Sequence, residues 1–150
     1  MAVYTIAKSG IVLAAATTET LLMITSVTDT LRVLGWGVSF DGVDSADVPA
    51  LVQYARATTT GTATDCTADI SPHLTTDVPS ATARNLFTAE PTVTDIIESH
   101  YVTPNGGLFV MQYATAESAQ ALNTERLILR ATAPTSAVNA SAWITFEENF

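Results

Sequence analysis

The sequence predicts an all-β domain, a sandwich or barrel of about eight to nine antiparallel strands. Three observations carry this. Apolar residues alternate with small or polar ones over short runs, the pattern of half-buried strands. Turn residues separate those runs, as in Asp41-Gly42, Pro104-Asn-Gly-Gly107 and Pro134-Thr-Ser136. Thr, which is β-branched and suits a pleated surface, recurs along the whole chain. No internal repeat appears, which disfavours propellers and solenoids.

Val3 to Ile6 reads as a first strand or as an extended arm. Ile11 to Ala16 fits strand and helix alike. Leu21 to Thr25 is a short apolar run bounded by Thr and Asp, suited to a strand buried on both faces. Leu31 to Phe40 is the best-defined strand. There Leu34, Trp36, Val38 and Phe40 are expected on one face, while Gly35 and Gly37 leave the other open to close approach. Pro49 to Ala57 satisfies both periodicities. Strand is preferred, because the flanking Thr and Gly leave little room for a stable helix. Thr58 to Pro79, rich in Thr, Asp, Ser and Pro, is expected as a long surface excursion with one short strand. Ala83 to Thr88, Ile96 to Val102 and Leu108 to Tyr113 follow as strands, and Ala114 to Leu122 as a loop. Glu125 to Ala133 alternates cleanly. Val138 to Phe146 closes the set, with Trp143 on the side away from Val138, Ala140, Ala142, Ile144 and Phe146.

The chain has 150 residues, which fits one domain spanning 1–150. A domain of this size buries roughly 68–70% of its unfolded surface and needs no staples. The single cysteine, Cys66, cannot form an internal disulfide. Fifteen acidic residues against six basic ones give a net charge of -9. The cations Lys8, Arg32, Arg56, Arg84, Arg126 and Arg130 are scattered singly, so neither nucleic acid nor an anionic membrane is an expected partner. Charged residues make up 14% of the chain, below the ~25% usual for soluble domains. A surface short of charge and rich in Thr suits lasting contact with neighbouring proteins. No basic region precedes an apolar stretch at the start, so no signal peptide is expected, and synthesis in a cytoplasm follows.

Chemistry-bearing motifs are sparse. Glu98 and His100 share a strand face and could form an acid–base pair, but a surface polar pair is the plainer reading. His73 lies in the Pro/Thr-rich excursion. Asp41, Asp44 and Asp47 gather in one loop without the spacing or closing Glu of a calcium loop of the EF-hand kind, so a solvated turn is expected. Cys66 is flanked by Asp65 and Asp69, which raise rather than lower a thiol pKa, and reads as a small apolar filler. Asn139-Ala-Ser141 matches a glycosylation sequon but falls within a strand and is discounted. No catalytic, cofactor-binding or metal-ligating set emerges, and the chain is not expected to be an enzyme. Trp143, turned away from its strand's apolar face, is the better interface anchor of the two tryptophans.

Three segments carry a family resemblance: Gly106-Gly-Leu-Phe-Val-Met-Gln-Tyr113, Leu127-Ile-Leu-Arg-Ala-Thr-Ala-Pro134 and Ala137-Val-Asn-Ala-Ser-Ala-Trp-Ile-Thr-Phe-Glu-Glu148. With Leu31-Arg-Val-Leu-Gly-Trp-Gly-Val-Ser-Phe40, they resemble the jelly-roll capsid decoration, or cement, proteins of tailed bacteriophages. The resemblance implies a jelly roll on the outer surface of a phage head, bound across major capsid protein subunits, often as a trimer. It transfers no catalytic residues and no cofactor. On this reading residues 1–10 are an extended arm, and Ala2, Val3, Tyr4, Thr5 and Ile6 add a strand to a neighbour's sheet edge. Rival readings are a tail or head-fibre component, a carbohydrate-binding sandwich using Trp36 or Trp143, and a cupin-type enzyme. The last is disfavoured, because two distant histidines make a poor metal site.

Overall fold

The computed structural model describes residues 1–42, 48–114 and 117–150. Among them are twelve strands: β1 (Ala2–Leu13), β2 (Thr18–Thr25), β3 (Leu31–Asp41), β4 (Ala50–Ala57), β5 (Thr62–Asp65), β6 (Ser71–Pro72), β7 (Thr82–Ala89), β8 (Val93–Val102), β9 (Asn105–Gln112), β10 (Gln120–Ala121), β11 (Arg126–Thr132) and β12 (Val138–Glu148). A single 3-10 turn, Thr67–Asp69, precedes β6. The expected count of eight to nine matches the long strands; β5, β6 and β10 are pieces of two to four residues.

The strands form a sandwich of two antiparallel six-stranded sheets. In sheet I the order is β6-β1-β12-β3, with β9 and β10 both along the far side of β3. Sheet II runs β5-β7-β2-β11-β4-β8. The long pairings are nested: β1 with β12, β2 with β11, β3 with β9, β4 with β8. The chain is thus one antiparallel ribbon doubled on itself and rolled, with alternate pairs falling in opposite sheets. That is the jelly-roll order, which two Greek keys produce.

Alternation explains the core. Tyr4 and Ile6 of β1, Trp36, Val38 and Phe40 of β3, and Ile144 and Phe146 of β12 point inward from sheet I. Leu22 and Ile24, Val52 and Tyr54, and Leu127 and Leu129 meet them from sheet II. A smaller cluster, Met23, Ala55, Ala57 and Ile128, is buried on the outer side of sheet II beneath Phe87 and Val93.

Two expectations need correction. Residues 1–10 are not an arm. They lie within β1, whose register runs from Ala2 against Glu148 to Leu13 against Val138. Tyr4 and Ile6 are buried, and β6 covers the other side of Tyr4 and Thr5. Apolar side chains at alternate positions fill the protein's own core, so Ala2 to Ile6 are not free to donate a strand. A bulge containing Gly10, at φ +66, lets Ile6 and then Ile11 and Leu13 all face inward. Leu34, in turn, is not on the core face of β3. The register slips opposite Thr145 and Phe146, so that Val33 and Trp36 both point inward and Leu34 is left partly exposed. One extra residue in a strand does this.

The excursion is tied down more tightly than its composition suggests. It contains β5, the 3-10 turn and β6, where one short strand was expected. The His73 amide donates to the Val3 carbonyl at 2.8 Å. Glu148 is buried, and its carboxylate accepts from the Ser80 amide (3.0 Å), the Ser80 hydroxyl (3.1 Å) and the Ala81 amide (2.7 Å). Its neighbour Glu147 pairs with Arg32, over which the Phe150 ring lies at 4.0 Å. Both closing glutamates therefore have structural work.

Candidate functional site

The outer face of sheet I is poor in charge. In β12 the side chains of Ser141, Trp143 and Thr145 alternate with buried ones, so they face outward. Register sets what lies beside them. Trp143 stands between Ala7 and Gly37, and Gly37 pairs in turn with Val110. Thr145 stands between Thr5 and Gly35, beside Gln112. Ser141 pairs with Ser39, and Ser39 with Leu108. These central rows contain no ionisable side chain apart from His73 at the β6 margin, in a chain of net charge -9. Among the described residues, charge returns at the ends of this face, as the Arg32–Glu147 pair and as Asp41.

Small residues keep the face flat. A Cβ on Gly37 would lie 2.4 Å from the Trp143 Nε1, so the indole sits directly over that glycine. The sequence marked this side of β3 for close approach by a large neighbour, and the neighbour is the chain's own Trp143. Leu34, Gly35, His73, Gln112, Trp143 and Thr145 line a shallow cleft of about 250 Å³. Within it the Thr5 hydroxyl meets the His73 Nε2 at 2.9 Å and the Thr145 hydroxyl at 2.8 Å. Towards β9 the face becomes apolar: Leu108 is 67% exposed and Val110 43%. Sequence reasoning passed over these two. The signal was present in Asn105 to Gln112, which carries no charge, but only the pairing places it beside Trp143.

Sheet II has a different outer face. Arg84, Arg126 and Arg130 project from it, at positions paired with the outward Met23, Ala57 and Gln53. Arg126 and Arg130 are held individually. Arg130 donates to Gln53 at 2.9 Å, and Arg126 to the carbonyls of Thr58 and Thr124. Near the end of the sandwich Arg56 meets Glu125 at 3.4 Å.

The Glu98–His100 pair forms, at 3.3 Å, but not as a surface pair. Both side chains are part-buried and turn inward between β8 and β9. The His100 ring packs 4.7 Å from Phe109 and 5.9 Å from Trp36. Trp36 is fully buried, and its indole N–H donates to the Tyr113 hydroxyl at 2.7 Å. Burial pushes the Tyr113 phenol up; the Trp36 bond opposes this and Glu98 reinforces it. The Tyr54 phenol is raised well above its usual range by burial, and its hydroxyl has no hydrogen-bond partner among the described residues. This group closes the core between the sheets. It removes Trp36 as a sugar platform.

Asp41 grips Asn139: its carboxylate accepts from the Asn139 amide at 2.6 Å and from the side-chain Nδ2 at 2.7 Å. Those bonds hold the Asp41 carboxyl below the usual range. They also occupy the sequon asparagine. Asp44 and Asp47 lie outside the described residues. Among the described residues no cluster of three or more His, Cys, Asp or Glu could hold a metal ion. Cys66 is buried in the main core, and burial, then Asp69 and Asp65, push its thiol up to about 11. A disulfide-exchange probe at mildly alkaline pH should therefore label it only after unfolding; prompt labelling of the folded protein would contradict this. Since an exposed thiol in the unfolded chain loses its proton near 9.0 and the folded one at about 11, stability should fall as pH rises through that window.

No family model matches the chain, and no curated protein does. Among solved structures, the VP2 subviral particle of infectious bursal disease virus is weakly similar, with 18% identity and a TM-score of 0.25. The likeness covers 98% of this chain and 41% of that one, so the chain spans about two fifths of its length. At that score the likeness says nothing of what this chain does.

Proposed function

We propose that the chain is a structural virion protein that decorates and stabilises a tailed-phage head, lying across major capsid protein subunits with the outer face of sheet I against them. The observation that carries this is the uncharged, flattened face around Trp143 in a chain of net charge -9. Like charge opposes non-specific association, while a neutral face can be buried without leaving ions unpaired. A ligand that binds only the assembled lattice stabilises it by mass action. No catalytic step and no cofactor belong to this reading. The protein is made in the host cytoplasm and resides on the outer capsid surface.

The test is co-sedimentation with assembled empty heads of its own phage that lack it. Wild type should sediment with the heads, with little dependence on salt, because the contact is not ionic. Ala7→Asp places an unpaired charge beside Trp143 and should weaken binding roughly tenfold or more. Tyr101→Asp, on the opposite sheet at a site 76% exposed, should leave binding unchanged. Failure to sediment, or equal binding by Ala7→Asp, would overturn the proposal. The cleft beside Trp143 also favours one rival, a carbohydrate-binding sandwich. Binding on a glycan array that Trp143→Ala abolishes would select that reading.

A further inference from the structure

We infer that β9 is a pairing edge and that its occupant is β9 of a second copy, joined antiparallel about a two-fold axis at Val110. Unpaired strand edges are templates for another chain, and proteins blunt them with short strands, charge, Pro or bulges. Three of the four sandwich edges are blunted. The two-residue β6 covers β1, and the four-residue β5 ends sheet II on the same side. At the other end of sheet II, β8 carries Asp95 and Glu98 and slips register against β4 twice. The remaining edge, β9, has none of these devices over Leu108 to Gln112: no charge, no Pro, no bulge. Among the described residues no strand pairs with its outer side.

The hydrogen-bond phase is right for pairing. The Tyr113 amide donates to the Leu34 carbonyl. In an antiparallel ladder alternate residues turn to the same neighbour. Phe109 and Met111 therefore face β3, and the amides and carbonyls of Leu108, Val110 and Gln112 face the open edge. A two-fold axis at Val110 sets Val110 against its counterpart and Leu108 against Gln112 on the outer face. It sets Phe109 against Met111 on the inner one. Such an edge is self-complementary, as a two-fold contact requires. It is also uncharged, so two copies of net charge -9 meet there without local repulsion. Sheet I would then run on from one copy to the other as a doubled neutral face. The pairing does not depend on the capsid reading, and its test uses the free protein, so either can fail alone.

Sedimentation equilibrium of the full chain should give a dimer. Val110→Lys sets two like charges opposite each other and should raise the dissociation constant roughly tenfold or more. Val110→Pro removes an outward donor without touching the β3 ladder and should do the same while leaving the monomer folded. Hydrogen exchange gives a readout free of substitution: the amides of Leu108, Val110 and Gln112 should gain protection as concentration rises. A wild-type monomer at the highest soluble concentration would overturn the inference. So would a dimer or trimer insensitive to both substitutions, or exchange at these amides that does not vary with concentration.

Discussion

Trp36→Ala should cost about 3–5 kcal/mol of folding stability, the largest effect of any single substitution considered. Trp36 is fully inaccessible and touches Tyr54, His100 and Phe109 with ring centroids at 6.4, 5.9 and 5.5 Å. It joins β3 of sheet I to Tyr54 of β4 and His100 of β8 in sheet II. Removing it leaves a cavity and takes the indole N–H from the Tyr113 hydroxyl, near the Tyr54 hydroxyl, which has no partner among the described residues. Total stability for such a domain is only about 5–15 kcal/mol. The denaturant midpoint should therefore fall steeply with little change in slope, and the melting temperature by on the order of 10 °C. Trp36→Phe should recover most of the packing and lose chiefly the hydrogen bond. A loss below about 1 kcal/mol for Trp36→Ala would mean that the two sheets do not depend on this contact.

The second large effect is expected at Glu148. Its buried carboxylate holds the Ser80 and Ala81 amides and the Ser80 hydroxyl, and so fastens the end of the excursion to β12. Glu148→Ala orphans the buried Ala81 amide and the part-buried Ser80 amide, and leaving a buried donor unpaired costs about 1–3 kcal/mol. The cost should be partly local. Exchange protection should drop between β5 and β7, and protease cutting should concentrate there, before the sandwich itself unfolds. Glu148→Gln keeps one carbonyl acceptor and should fall between wild type and Glu148→Ala. Unchanged cutting in the alanine variant would show that the excursion is held by other contacts, such as the His73 amide on Val3.

Much of the sandwich was legible in alternation. Glu125 to Ala133 and Val138 to Phe146 became β11 and β12 nearly as read, because their period-two pattern runs without interruption. Pro49 to Ala57 is the strand β4, as its surroundings favoured. Where the pattern slips, the reading failed for one physical reason. A bulge moves the apolar set by one residue, and neither the bulge at Gly10 nor the one at Leu34 is marked by composition alone. Without the first, β1 looked like two fragments and its start like an arm. The excursion's anchors were also hidden, since Glu148 meets Ser80 across 68 positions of sequence. The same holds for the candidate face. The outward side of Trp143 follows from its own strand, and the open side of β3 from Gly35 and Gly37. That these meet Leu108 and Val110 on one neutral surface depends on the β3–β12 and β3–β9 pairings, which no local pattern specifies.

The most direct measurement of the central claim is hydroxyl-radical footprinting of the protein, free and bound to heads. The docking account predicts that Trp143, Leu108 and Val110 lose reactivity on binding, while Tyr101 on the outer face of sheet II keeps its own. Protection of Tyr101 with Trp143, Leu108 and Val110 unchanged would contradict it.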